Sequence, residues 1–261
     1  MRHKKSGAIF ATPLALASQI SAKYTPVDMV KVVTPLEKIP EAKVFSRFGK
    51  KAADQMVRIG FAVVSGEHYQ ERTRKIARRV LSNERLAASI NSGNGKDIAS
   101  SSMVLSLNSV SPRNPLSRFL LFRNGISPYL LNEIDEVNQT LTSIGLNTAK
   151  STRILSQVNR YSSAEGEFAF HQDHTKGDFA IANFILAIDH KGKGKATIRG
   201  IGEYAGRSNV YILEPGDRMY LRGCLAGEID NPGPDAVHPW HTVTSLSRVR
   251  ISQAIALISK L

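Results

Sequence analysis

Apolar residues recur at helical spacing in several stretches before residue 150, and after it they fall into short strands separated by Gly and Pro. Val44, Phe45, Phe48 and Ala52 line up at that spacing and predict a helix over 40–57. The run Ile59-Gly60-Phe61-Ala62-Val63-Val64, ending at Ser65-Gly66, then reads as a short buried strand. A second helix is expected from about Glu67 to Ser82. Residues 91–114 are rich in Ser, Asn and Gly around Met103-Val104-Leu105, which predicts loops flanking a strand and room for a substrate lid. Pro128 suits the first position of a helix and Ser127 its cap, so a helix is expected through about Ser143, with Leu131, Ile134 and Leu141 turned inward. From Arg153 onward short strands with Gly or Pro turns have the rhythm of a double-stranded β-helix. The predicted class is mainly β with flanking helices, around a jelly-roll (cupin-like) core. Three segments follow: a flexible basic arm over 1–39, a helical layer with lead-in strands over 40–150, and the double-stranded β-helix over 151–261, integrated with the part before it.

The strand half carries the chemistry. Side chains two apart on a strand share a face, so His171 and Asp173 can grip one ion while Gln172 faces away. The alternation of Glu167-Phe168-Ala169-Phe170 puts Phe168 and Phe170 on the opposite face. A third ligand comes from elsewhere, and His241 opens the β-branched run Thr242-Val243-Thr244. Two imidazoles and one carboxylate occupy one face of an octahedral ferrous ion and leave the other face open, the signature of non-haem iron oxygenases. That set supplies one negative charge to a divalent ion, which favours an anionic co-ligand. Arg250 can hold such a co-ligand by its carboxylate, with the Ser252 hydroxyl on the same face. Small residues Ala254 and Ala256 continue that face, whereas Val249, Ile251, Ile255 and Leu257 are bulky on the other. Asn183 is the one amide in the apolar run 179–188 and needs a partner such as a bound acid.

Some positions compete. His238 shares the segment His238-Pro239-Trp240-His241, but Pro239 interrupts pairing after it, which favours His241. Arg248 has the parity of Arg250 but sits beside the Ser245-Leu246-Ser247 turn. Tyr161 either donates its phenol to the co-substrate or fills the core. His174 points away from Asp173, and His190 reads as part of an exposed hairpin turn, Asp189 to Lys195.

As a set, His-x-Asp, a distal His and Arg-x-Ser resemble the Fe(II)/2-oxoglutarate-dependent dioxygenases over residues 152–258. The nine-residue step from His241 to Arg250 is similar to the isopenicillin synthase and plant oxygenase branch. Asn159-Arg160-Tyr161 followed by His171-Gln172-Asp173 resembles the alkylation-repair (AlkB-type) branch, in which an Asn-x-Tyr strand binds the co-substrate. Leu213-Glu214-Pro215-Gly216-Asp217 is similar to the turn before the distal histidine strand. The chain departs from the repair branch at Arg250-Ile251-Ser252-Gln253-Ala254-Ile255-Ala256, where a second arginine is absent, and in the long Gly/Pro-rich loop from Gly223 to Pro239. The resemblance implies Fe(II) held by His171, Asp173 and His241, with 2-oxoglutarate and O2 as co-substrates. It also implies Arg250, Ser252, Tyr161, Asn159 and Asn183 around the co-substrate.

Composition changes the picture in three places. The chain of 261 residues is 42% hydrophobic, ordinary for a soluble domain with a full core, and contains no apolar run long enough to span a bilayer. Its single cysteine, Cys224, excludes an internal disulfide and suits a reducing compartment, cytoplasm or nucleus. A net charge of +13 and a pI near 10.0 point to polyanionic partners such as DNA, RNA or an acidic membrane surface. Arg72, Lys75 and Arg79 form one stripe of the second helix beside Ile76 and Val80, and Lys50, Lys51, Arg113, Arg118 and Arg123 add to it. A nucleic-acid base or nucleotide is therefore the expected substrate, with a small metabolite or peptide as the alternative. The first 27 residues lack Asp and Glu and read as a disordered basic arm, an organelle-targeting extension or a weak secretory signal, the first being favoured.

Overall fold

A computed structural model describes residues 37–81, 95–106, 119, 121, 126–146, 153–172, 179–180, 184–223 and 239–260. In chain order they form β1 (Val44–Phe45), α1 (Lys50–Ile59), β2 (Phe61–Val64), a 3-10 turn (Gly66–Tyr69), α2 (Gln70–Leu81), β3 (Gly95–Lys96) and β4 (Ile98–Ser106). There follow α3 (Pro128–Ser143), β5 (Arg153–Tyr161), β6 (Glu167–His171), β7 (Phe179–Ala180), β8 (Phe184–Lys191) and β9 (Gly194–Arg199). A short 3-10 turn (Gly202–Tyr204), β10 (Ser208–Leu213), β11 (Arg218–Arg222), β12 (His241–Ser245) and β13 (Arg250–Lys260) complete the order.

The strands make two sheets, as the double-stranded β-helix requires. The larger runs β1-β2-β11-β8-β13-β5-β4, with β7 paired to the end of β13; the smaller runs β10-β9-β12-β6-β3. Every pairing is antiparallel except β1 with β2. The lead-in strands β2 and β4 are thus built into the same sheet as β5, β8, β11 and β13. Residues at the end of the expected arm also pack: Ile39 is fully buried, and Glu37 bridges to Arg207. Residues 1–36 lie outside the described residues.

Helix α3 forms where expected. The Ser127 hydroxyl accepts from the Tyr129 N–H, and Pro128 follows at the first position, where its missing N–H costs nothing. Its inward stripe is Leu130, Ile134, Val137 and Leu141, each burial contributing about 1.5–3 kcal/mol. Leu131, expected on that stripe, is only half-buried.

The helix expected over 40–57 begins ten residues late. Gly49 is extended, so α1 starts at Lys50, and Val44–Phe45 pairs instead with Val63 and Val64. The Gln55 side chain accepts from Lys43 N–H at 2.8 Å and donates to Lys43 C=O at 3.2 Å, fixing the extended segment against α1. Tertiary pairing here overrides an apolar spacing that suits a helix. Gly60 ends α1 with φ +97, and a Cβ there would meet Ile201 at 2.8 Å.

His190 is a further correction. It is 7% exposed on β8, not in a turn, and its Nε2 lies 3.1 Å from Gln253 Oε1, while Gln253 donates to Ser156 at 2.9 Å. Burial pushes its pKa down to about 4, so the ring is neutral at pH 7.

Candidate active site

Strand register brings the two candidate ligand histidines face to face. His241, first residue of β12, pairs directly with His171, last residue of β6, and their ring centroids are 4.3 Å apart. His241 also pairs with Ile198 of β9, which is fully buried, so this face of the smaller sheet points into the core. The His241 ring is 4% exposed, with Nδ1 3.3 Å from the Pro239 carbonyl. That contact makes Nδ1 the protonated nitrogen and turns the basic Nε2 away from the backbone, the tautomer a metal ligand needs.

A β-bulge sets the aim of His171. Between the pairs His241↔His171 and Val243↔Phe168, β6 advances three residues while β12 advances two. The extra residue reverses the parity, so Phe168 shares a face with His171, their rings 4.9 Å apart, instead of facing away as alternation predicts. The Thr242 hydroxyl donates to Phe168 C=O at 2.6 Å and holds the bulge. Phe170 stacks on Trp240 at 5.6 Å with planes 14° apart, and the Arg199 guanidinium lies 4.9 Å from the Phe170 ring. The Arg199 backbone N–H donates to Trp240 C=O at 2.8 Å. Phe170, Trp240 and Arg199 each adjoin His171, His241 or Ile198 in the chain, so their side chains lie on the face of the smaller sheet opposite the histidine pair.

The larger sheet supplies the candidate acid clamp. Arg250 pairs with Tyr161 and Ser252 with Asn159 across β13 and β5, so all four share one face. All four are buried. That face meets the smaller sheet, because a Cβ on Gly194 of β9 would lie 2.5 Å from Arg250 Nε. Gly194 pairs with Ser245 and Ile198 with His241, so clamp and histidine pair are four residues apart along β9, about 13 Å.

The guanidinium carbon lies 4.6 Å from the Tyr161 ring centroid, and burial raises the Tyr161 pKa, keeping the phenol protonated as a donor. Ser100 and Gln157 both donate to Asn159 Oδ1, at 2.7 and 2.9 Å, and so orient its amide. Arg248 is exposed, so Arg250 is the arginine of this face. The sequence did not single out Asp189, whose Oδ1 is 2.5 Å from Arg250 Nη2. Its setting, Asp-His-Lys-Gly-Lys-Gly, looked like a solvated turn, and only the alternation of β8 could have placed it inward.

Asp173, Asn183, His174, His238 and Cys224 lie outside the described residues, as do most of 107–125 and the loop 224–238. Among the described residues no three His, Cys, Asp or Glu side chains cluster as a metal site. The donor set nevertheless fits a ferrous ion: two imidazoles, one with its tautomer fixed by a backbone carbonyl, and a carboxylate two residues along the chain from His171. It also fits a carboxylate co-ligand, since Arg250 Nε and Nη1 are buried without hydrogen-bond partners.

Two packed antiparallel sheets, with helices on the outer face of the larger, define a double-stranded β-helix. No family model and no curated protein matches the sequence. Among solved structures, the chain is similar to the dioxygenase for auxin oxidation 1 of Arabidopsis thaliana, solved as a binary complex with 2-oxoglutarate. The identity there is 11%, the TM-score 0.51, and the match covers 84% of this chain and 93% of that one. A prolyl-4-hydroxylase of Pseudomonas putida matches at 10% identity and TM-score 0.48, over 81% of this chain and 98% of that one. A prolyl hydroxylase of Trichoplax adhaerens, in complex with a hypoxia inducible factor peptide, matches at 12% and 0.49, over 78% and 86%.

Proposed function

We propose that this chain is an Fe(II)- and 2-oxoglutarate-dependent dioxygenase. The observation that carries the reading is the pairing of His171 with His241 on the inner face of one sheet, opposite a face carrying Arg250, Tyr161, Ser252 and Asn159. In it, His171, Asp173 and His241 hold the metal. Arg250 and Ser252 receive the far carboxylate of 2-oxoglutarate, and the Tyr161 phenol and Asn159 amide orient it, with Asn183 as a further contact. Iron with 2-oxoglutarate and O2 supplies an oxidant that breaks a substrate C–H bond, yielding hydroxylated or demethylated product, succinate and carbon dioxide. The chain binds the acid in one register and keeps the His241 imidazole basic toward the metal. Oxygen-dependent succinate release on addition of iron and 2-oxoglutarate tests this. A chain that releases none with any oligonucleotide, nucleoside, peptide or metabolite is not such an enzyme.

For the substrate we infer a nucleic-acid base or nucleotide. The net charge of +13 supports it. Single-stranded oligonucleotide binding should then weaken by about tenfold or more between 50 and 200 mM salt, in a filter-binding titration, as phosphate contacts release counterions. Salt-independent binding removes this substrate class. A peptide or small metabolite is favoured instead by the state of the basic stripe: Arg72 is paired with Glu136 at 2.9 Å and Lys75 with Glu71 at 2.6 Å, so part of its charge is already matched. Among the described residues no helix is long and apolar enough to cross a membrane.

A further inference from the structure

The guanidinium read above as the co-substrate's anchor already has a carboxylate beside it. Asp189 and Arg250 form an ion pair with side chains 4% and 2% exposed, electrically neutral as a unit. Only Nη2 faces Asp189, so two nitrogens, Nε and Nη1, remain buried without a hydrogen-bond partner. Gly194 presses on one side of the guanidinium, and the Tyr161 ring lies 4.6 Å away. The cation is therefore held in place with part of its hydrogen-bonding capacity unused.

We propose that Asp189 is a positioning residue that holds Arg250 in place while the seat is empty, and that takes up a proton when a carboxylate of the dicarboxylic co-substrate lands on Nε and Nη1. The proposal rests on the oxygenase reading and adds to it a charge rule for the same seat. Two carboxylates sharing one buried cation cannot both remain ionised, because the second brings an uncompensated negative charge into a low-dielectric site.

The surroundings of Asp189 leave it no second cation among the described residues. From β13 it meets Arg250 and the Ser252 position opposite, from β5 Tyr161, and from the turn before β11 Asp217. Asp217 accepts from the Gly66 and Glu214 N–H groups, at 2.7 and 2.8 Å, and adds repulsion. His190 and Arg218 belong to the opposite face of the sheet, and Lys191 is exposed at the strand end. Burial raises the Asp189 pKa to about 6 against the opposing pull of Arg250. Above that pH the free protein carries an ionised Asp189, so binding an anion takes up a proton, and affinity falls as pH rises.

Calorimetric titration of 2-oxoglutarate into the zinc-loaded full chain at pH 6, 7 and 8, in buffers of different ionisation enthalpy, tests this. Uptake of about one proton is expected, with Kd rising about tenfold per pH unit above 6. In Asp189→Asn the proton uptake should vanish, the pH profile flatten and binding at pH 8 tighten by about tenfold or more; Asp189→Glu should restore the slope. The same slope in Asp189→Asn as in the wild type overturns the role of Asp189 and leaves the oxygenase reading standing. No binding by the wild type at any pH overturns both. A carboxyl carbon NMR titration of Asp189 in the wild type needs no variant: its midpoint should rise when 2-oxoglutarate binds, and an unmoved midpoint overturns the proposal.

Discussion

Replacing His171 or His241 by alanine should lower iron-dependent succinate release by more than about 100-fold, since even residues one shell removed from a metal cost 10–100-fold when lost. The two imidazoles converge from different strands, and neither β6 nor β12 offers another ligand on that face at the same level. His241→Ala also removes the Nδ1 contact to Pro239, a single hydrogen bond of about 1 kcal/mol, so the fold should survive. Cobalt titration gives an independent readout: wild type should develop visible ligand-field bands that both variants lack. Arg248→Ala, at an exposed position, should match wild type in both measurements. Either histidine variant keeping a tenth of wild-type turnover would sink the assignment.

What the sequence could and could not convey about this site follows from the geometry of strands. Arg250 and Ser252 were legible because β13 runs without a break, so period two holds and its small-residue face reads directly. Asn159 and Tyr161 were singled out only through the Asn-x-Tyr resemblance, and β5 places both on the face of Arg250 and Ser252. Phe168 was not, because a bulge of one residue reverses parity and no local composition announces it. The pairing of His171 with His241 crosses a separation of seventy residues, which only sheet register fixes. Asp189 and His190 were hidden by company: Lys and Gly around them suggest solvent, yet β8 is a central strand with both faces covered. The apolar spacing over 44–52 misled in the opposite way, since Gly49 and the parallel bridge to β2 decide that segment. Local pattern thus carried which side chains share a face on an unbroken strand, and long-range pairing carried what the pattern missed.

Glu133 is where the greatest loss of stability is expected. It sits on α3 with its carboxylate almost wholly buried against Arg218 of β11, which donates to it through both Nε and Nη2, the latter at 3.0 Å. Tyr220 donates to the same carboxylate at 3.1 Å, and Arg218 donates in addition to Thr73 of α2 at 2.9 Å and to the Gly216 carbonyl. The Tyr69 ring covers the guanidinium at 4.1 Å. One ion pair therefore fastens α2, α3 and the 3-10 turn before α2 to the outer face of the larger sheet, whose inner face carries Arg250. Glu133→Ala leaves a buried cation uncompensated and should cost about 3–5 kcal/mol, lowering Tm by about 10 °C for a domain of this size. Replacing both partners by apolar residues, Glu133→Leu with Arg218→Met, should cost clearly less than either single change, because no charge is then left unpaired. Chemical denaturation of the wild type, Glu133→Leu, Arg218→Met and the double change measures the coupling. A single Glu133→Ala loss below about 0.5 kcal/mol, the range of ordinary surface substitutions, would show that the helices are held by their apolar stripes alone.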